Sequence, residues 1–98
     1  MTEPSVPRTI GDRPVVCWSQ IDERHRITGA CRHVNLSTGQ EDPVPRFIAI
    51  VGGPGSYDLM RFTDTWDFIT DTWHESLDEA LHQAEFEYEG VSKTWNHV

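Results

Sequence analysis

The chain has 98 residues, of which 37% are hydrophobic, and it carries four Trp, four Phe and two Tyr. This length fits one domain, and the aromatic content supplies enough apolar surface for a packed core, which argues against a disordered chain. No apolar run approaches the roughly 18 residues that a membrane span needs. The proline-rich start, MTEPSVPRTIGDRP, lacks the apolar segment of a secretory signal, so we expect a cytoplasmic protein.

The charge of the chain is negative and unevenly distributed. Sixteen acids against eight Lys and Arg give a net charge of −8. Residues 1–46 hold six acids and six arginines, whereas residues 47–98 hold ten acids and only Arg61 and Lys93. A field of this sign repels nucleic acid and anionic membrane surfaces and attracts cationic proteins. The composition therefore argues against nucleic-acid and membrane partners.

The first half of the chain predicts a lead-in and a β-hairpin. Residues 1–13 are proline-rich and are expected to be a flexible lead-in to a single domain over residues 14–98. PVVCWSQI (14–21) is β-branched and aromatic, as expected for a strand. After the polar turn DERH, the alternating segment RITGACRHVNL (26–36) is predicted to be its antiparallel partner. STGQEDPVP (37–45) is rich in turn formers and predicts a loop.

The two cysteines, Cys17 and Cys31, fall within this predicted hairpin. If Ile21 faces Ile27 across the turn, the two thiols face each other directly. Three arrangements are then open: two small buried thiols, a disulfide, or a metal pair that also uses His33. In a chain without a secretory signal, free thiols are the expected state.

Three further strands are predicted in the middle of the chain. RFIAIV (46–51) has five consecutive apolar residues, which is typical of a strand buried on both faces. YDLMRF (57–62) and DFIT (67–70) follow, so the three segments predict a β-meander. The connection GGPGS (52–56) lacks the Lys and Ser/Thr of a phosphate-binding loop, and Pro54 removes an amide donor. We therefore interpret it as a hairpin turn.

The second half also predicts one long helix, over residues 76–89. Apolar residues recur at helical spacing and form a single stripe: Leu77, Ala80, Leu81, Ala84 and Tyr88. Ser76 and Glu79 have the spacing of a capping box, and Thr72 and Glu75 offer the same box one turn earlier. Trp73 falls four residues before Leu77 on the same stripe, so we favour the start at Ser76 but allow for one more turn.

Gly90 is predicted to end this helix in a left-handed conformation. In the resulting Schellman cap Phe86 would contact Val91, which would explain an aromatic residue on the side opposite the apolar stripe. Strands followed by one helix predict an α+β fold, with an antiparallel sheet of about five strands and the helix packed on one face. The predicted core is Val16, Trp18, Phe47, Ile48, Ile50, Leu59, Ile69, Leu77, Leu81, Ala84 and Tyr88.

Potential metal ligands are present, but they do not form a recognised motif. HESLDEALH is not H-E-x-x-H, and its two histidines are eight positions apart, about 80° out of register on a helix. Two donor sets are left as alternatives: His74, Asp78 and His82, or Cys17, Cys31 and His33. Neither set supplies the full complement of converging donors that structural zinc prefers, so no metal or cofactor is predicted.

Catalysis by paired carboxylates is the remaining chemical possibility. Three aspartates surround a predicted turn: Asp64, Asp67 and Asp71. General acid–base work of this kind needs a cleft and one carboxyl with a raised pKa. A domain of this size with one helix offers little cleft, and we therefore expect a protein that is not an enzyme.

The acidic residues of the second half instead predict a surface for a basic protein partner. The run from Thr70 to Gly90 has seven carboxylates and no Lys or Arg, so its like charges are not compensated along the helix. Tryptophans would add the aromatic anchors typical of protein interfaces. The candidate partner-binding residues are Trp66, Asp67, Asp71, Trp73, Glu75, Asp78 and Glu79. The alternative is a homodimer, paired through an edge strand or exposed aromatics, in which acidity serves only solubility.

FTDTWDFITDTWHESLDEALHQAEFEYEGVSKTW, residues 62–95, resembles the C-terminal half of small uncharacterised bacterial proteins, in which a TDTWH step leads from a hairpin into an amphipathic helix. This likeness covers about a third of the chain and implies no activity. The size, charge and α+β build are also similar to those of bacterial immunity proteins, which neutralise toxins. That resemblance implies a non-enzymatic protein whose carboxylates occlude the basic active site of a toxin.

Overall fold

The computed structural model describes residues 7–29, 39–40 and 43–97 of the chain. Its helix is α1 (Leu77–Glu87), and a 3-10 turn follows at Val91–Lys93. No helix in this part of the chain is long and apolar enough to cross a membrane. The strands are β1 (Thr9–Ile10), β2 (Arg13–Gln20), β3 (Arg26–Ile27), β4 (Phe47–Gly53), β5 (Ser56–Phe62), β6 (Phe68–His74), β7 (Tyr88–Glu89) and β8 (Asn96–His97).

The main sheet is antiparallel and has the strand order β1–β2–β4–β5–β6, with β8 also paired to β2. Strands β4 and β5 form a hairpin in which Gly53 faces Ser56, and β6 pairs along β5. α1 packs on one face of the sheet. The predicted α+β fold, with about five antiparallel strands and one helix, is confirmed. The meander of β4, β5 and β6 is confirmed too, although β6 runs on to His74 rather than ending at Thr70.

Strand β4 lies at the centre because its residues are apolar on both faces. Ile48 and Ile50 belong to a core cluster beneath α1, whereas Phe47, Ala49 and Val51 belong to a second cluster on the opposite face. Removing apolar surface from water contributes about 25 cal/mol per Å², so covering both faces is strongly favoured. The positions on either side of β4 therefore go to the long strands β2 and β5.

The predicted hairpin between residues 14–21 and 26–36 is wrong. Strand β3 pairs with β7, not with β2, and the two strands beside β2 at Cys17 are β4 and β8. Cys17 consequently faces Ile50 and His97, so the predicted register opposite Cys31 is not formed. The physical reason is that β4 occupies one edge of β2 and that β1 and β8 occupy the other, so β2 has no edge left for β3. Cys31 and His33 themselves lie outside the described residues.

The segment assigned to the lead-in also contributes to the sheet. Within residues 7–13, β1 folds back on β2 so that Ile10 faces Arg13. The turn between them is Gly11 and Asp12, both with positive φ. Such a pair gives the two-residue turn that best matches the twist of an antiparallel hairpin. Residues 1–6 lie outside the described part of the chain.

Helix α1 begins as predicted, after Ser76. The Ser76 Oγ accepts the amide N–H of Glu79 at 3.1 Å, and the Glu79 carboxylate accepts the amide N–H of Glu75 at 3.0 Å. These two bonds satisfy backbone donors that the first turn of a helix leaves free. The alternative start at Thr72 is excluded, because Thr72 lies within β6.

The predicted end of the helix is wrong. α1 stops at Glu87, and Tyr88 and Glu89 leave it to pair with β3. Gly90 does adopt a left-handed φ of 103°, but it opens the 3-10 turn rather than closing α1. Phe86 is 56% exposed, whereas Val91 is buried in the cluster beneath α1. The β3–β7 ladder supplies partners for the backbone groups that a Schellman cap would otherwise satisfy.

A buried ion pair joins α1 to the sheet. The Arg61 guanidinium donates to Glu87 Oε2 at 2.6 Å and to Oε1 at 3.3 Å, and the two residues are only 1% and 3% exposed. Arg61 also donates to the carbonyl of Leu59, and Gln83 donates to the Glu87 carboxylate at 2.7 Å. The polar atoms that this pair brings into the interior are thus met by several hydrogen bonds, as burial of charge requires.

We expect removal of one partner of this pair to be more costly than removal of both. Arg61→Met or Glu87→Gln alone leaves a buried charge without compensation and should lower the free energy of unfolding by about 3–5 kcal/mol. The double variant leaves no buried charge, so its loss should be clearly smaller than the sum of the single losses. Urea unfolding of the four proteins measures this, and additive losses would contradict it.

Cys17 should be unreactive in the folded protein. It is a free, fully buried cysteine, and burial raises the pKa of its thiol to about 12. Because only the thiolate attacks a disulfide reagent, a Cys31→Ser variant should release no chromophore from Ellman's reagent at pH 8. The same variant in 6 M guanidinium should release one equivalent. Rapid labelling of the native variant would contradict the buried position.

Candidate protein-interaction surface

Strand β6 forms one edge of the main sheet. It pairs with β5 along its whole length, and no other strand in the described ranges pairs with its far side. An edge strand presents alternate backbone N–H and C=O groups outward, where they can bind another strand. Seven residues give this edge a length of about 23 Å at the rise of an antiparallel strand.

A bulge sets which side chains of β6 face away from α1. The pairing with β5 shifts between Arg61 and Phe62, so that Phe68 faces Phe62. Beyond the shift, Asp71 faces Met60 and Trp73 faces Asp58. Directly opposed residues of an antiparallel pair project to the same side of the sheet. Three side chains of the edge therefore share the outer face, the one opposite α1: Phe68, Asp71 and Trp73.

These three side chains are open to solvent. Phe68 is 56% exposed, Trp73 is 60% exposed, and Asp71 is exposed. The indole N–H of Trp73 donates to Ser56 Oγ at 3.1 Å, which ties one side of the ring to the start of β5. The rest of the ring remains available as an aromatic surface.

Trp66, by contrast, is used within the fold. It has a left-handed φ of 64°, and its ring stacks on Phe47 with centroids 4.6 Å apart. Further ring contacts reach Phe62 and Trp18, so Trp66 covers the second core cluster. The turn that places it is closed by Thr63 and by Asp67, whose exposed carboxylate accepts the hydroxyl of a neighbouring threonine.

The remaining candidate residues lie where β6 leads into α1. Glu75, Asp78 and Glu79 are exposed there, and Glu79 already accepts the amide of Glu75. Asp67 lies at the other end of β6, about 25 Å from Glu75 by strand rise. The candidates other than Trp66 are thus arranged along one edge and do not converge on one point.

The carboxylates of this edge form no ion pair with any described Lys or Arg. Ion pairs elsewhere join Arg13 to Asp58, Arg24 to Asp22, Arg26 to Glu89 and Arg61 to Glu87. None of the ion pairs within the described chain involves Asp67, Asp71, Glu75, Asp78 or Glu79. Moreover, residues 62–92 contain no Lys or Arg.

We use the name acidic edge for the exposed residues Phe68, Asp71 and Trp73 on the outer face of β6, with Asp67 at one end and Glu75, Asp78 and Glu79 at the other. The sequence pointed to its acids and to Trp73 through the lack of Lys and Arg. It missed Phe68, because the bulge that turns Phe68 outward depends on pairing with β5.

An open groove of about 570 Å³ lies on α1 beside His74, the last residue of β6. It is lined by His74, Glu79, His82, Gln83 and Phe86. His74 Nε2 lies 2.8 Å from Thr72 Oγ1. Partial burial lowers the pKa of His74, although the nearby Glu79 carboxylate opposes this effect.

The groove does not contain a preformed metal site. Across residues 7–29, 39–40 and 43–97, no three His, Cys, Asp or Glu side chains come together as a metal would require. The predicted set of His74, Asp78 and His82 therefore does not converge. The other set cannot be placed, because Cys31 and His33 lie outside these ranges.

Substitution of Trp66, which precedes β6, should change the free energy of unfolding far more than substitution of Trp73, which lies within β6. Trp66→Ala removes a ring that packs on three other aromatics and should lower the free energy of unfolding by about 3 kcal/mol. Trp73→Ala removes a largely exposed ring and should change it by no more than about 0.5 kcal/mol. Urea unfolding followed by circular dichroism compares them, and equal losses would place Trp73 in the core.

Comparison with known proteins gives no indication of a function. No family model matches the chain, and neither a curated protein nor a solved structure is similar enough to count as a match. The resemblance of residues 62–95 to small bacterial proteins and of the overall build to immunity proteins therefore remains an expectation.

Proposed function

We propose that this protein is a non-enzymatic interaction protein that binds a basic protein partner through the acidic edge. The observation that carries the proposal is the combination of exposed aromatic rings on β6 with carboxylates, on β6 and at its two ends, that form no ion pair within the described part of the chain. Interfaces use aromatic residues as anchors, and charge complementarity directs the encounter and excludes wrong partners. An exposed face that served only solubility would gain nothing from large apolar rings.

The most concrete form of this function is that of an immunity-type protein acting in the cytoplasm. Its partner would be a toxin whose active site is rich in Lys and Arg. Asp71 and Glu75 would meet those cations, while Trp73 would pack between them. Binding would then block access of the toxin's own substrate without any chemical step.

A homodimer through β6 is the second candidate, since an open edge strand favours pairing. In a symmetric antiparallel pair centred on Asp71, however, Asp71 would face its own copy and Asp67 would face Glu75. Like charges directly opposite each other on paired strands are destabilising. The charge of the edge therefore favours a basic partner over a second copy, and light scattering at high protein concentration should give the mass of a monomer.

The proposal is tested by capture of partners from the source cell with matched charge reversals. Asp71→Lys with Glu75→Lys reverses two charges of the acidic edge, whereas Glu23→Lys with Asp64→Lys reverses two exposed charges outside it that form no ion pair within the described residues. The wild type and the second variant should hold the same basic protein, and the first variant should lose it. The association rate with that partner should fall at least about tenfold between 50 and 500 mM salt.

Two results would contradict the proposal. The first is equal capture by all three proteins, which would mean that the acidic edge is not the binding surface. The second is an association rate that does not depend on salt, which would remove the electrostatic argument.

A further inference from the structure

We propose that the partner contributes an extended segment in which basic and apolar residues alternate, and that this segment binds as an additional strand beside β6. The inference rests on the proposed function and goes beyond it, because it specifies the binding mode and the sequence pattern of the partner. Docking of a rigid basic surface, by contrast, needs no backbone pairing.

The backbone of β6 is suited to pairing with an added strand. β6 pairs with β5 without interruption from Thr70 to His74 and, beyond one bulge, again at Phe68, and no strand in the described chain pairs with its other side. Alternate amides and carbonyls of β6 therefore face outward as a row of donors and acceptors. A segment of six or seven residues matches the length of about 23 Å. Strand addition of this kind obtains its affinity from main-chain hydrogen bonds.

The outer face of the edge supplies the basic half of the pattern. A strand added beside β6 projects every second side chain to the face that carries Phe68, Asp71 and Trp73. A Lys or Arg at such a position lies across from Asp71 and next to an exposed indole. The carboxylate pairs with the cation, and the ring face of Trp73 attracts the same charge.

The inner face supplies the apolar half. An inward-facing side chain of the added strand near His74 would enter the groove between the end of β6 and α1, where Phe86 is 56% exposed. A Val or Leu placed there would cover this ring. The Gln83 side chain and the two histidines would stay at the rim. The two faces of the edge thus favour different residue types at alternate positions of the added segment. Such alternation is the pattern of a single strand.

The experiment uses a defined probe, the fluorescein-labelled peptide Lys-Val-Lys-Val-Lys-Val-Lys, and the full chain. Two further peptides carry the same side chains but are N-methylated either at every Val or at every Lys. In an added strand only one of these two sets of amides points toward β6. We therefore expect one methylated peptide to bind at least tenfold more weakly than the parent, and the other to bind within threefold of it.

Protein variants confirm the location. Asp71→Lys should weaken binding of the parent peptide at least tenfold, and the matched reversal Glu23→Lys should change it less than twofold. Trp73→Ala should also weaken it, without loss of stability. In the complex, alternate backbone amides of β6 should exchange more slowly with solvent.

The failure of this inference is distinguishable from failure of the proposed function. Equal affinity of all three peptides, loss by both methylated peptides, or no binding of the parent at 50 mM salt would overturn strand addition. Capture of a basic partner that is lost with the Asp71 and Glu75 reversals would still support charge-directed docking. If strand addition fails and the Asp71 and Glu75 reversals also leave capture unchanged, both the inference and the proposed function are overturned.

Discussion

The fold depends on the need to cover both faces of β4. Its residues from Phe47 to Gly52 are buried, so one layer must lie on each side of it. α1 supplies one layer, and the rings of Trp18 and Trp66 contribute to the other. Within the sheet β4 lies between β2 and β5, and a short turn joins it to β5. β6, which is as long as β5, pairs with the far side of β5. β6 is consequently placed at the margin of the sheet, where its outward backbone groups and side chains meet solvent.

The distribution of charge follows from the same packing. Arg61 is the only cation between residues 47 and 92, and it lies inside, where the Glu87 carboxylate neutralises it. Every other carboxylate of that region has to find a partner elsewhere or remain in water. Asp58 and Glu89 form ion pairs with Arg13 and Arg26, whereas the carboxylates of the acidic edge form none with the residues that the structure describes. The buried pair leaves the net charge of this half unchanged, but it leaves Lys93 as the only Lys or Arg of residues 47–98 outside the interior.

The acidic edge also has to avoid unwanted association. An open edge strand with exposed Phe and Trp is a template for aggregation, and charged side chains are a common protection against it. In a symmetric pair centred on Asp71, the carboxylates of Asp67, Asp71 and Glu75 would lie opposite like charges, which opposes self-association. The same carboxylates attract a cationic strand. One set of residues thus separates self-association from the recognition that we propose.

The sequence by itself determined those features that depend on local chemistry. The apolar run of β4, the periodic stripe of α1 and the spacing of Ser76 and Glu79 were sufficient to predict the fold class, the meander and the start of the helix. They could not predict the partner of β2, the end of α1 at Glu87 or the outward position of Phe68. Each of these depends on residues far apart in sequence: β2 on β4, β7 on β3, and β6 on the bulge opposite β5. Strand pairing depends on the total apolar surface that the whole sheet buries, and the sequence of a single segment does not reveal that total.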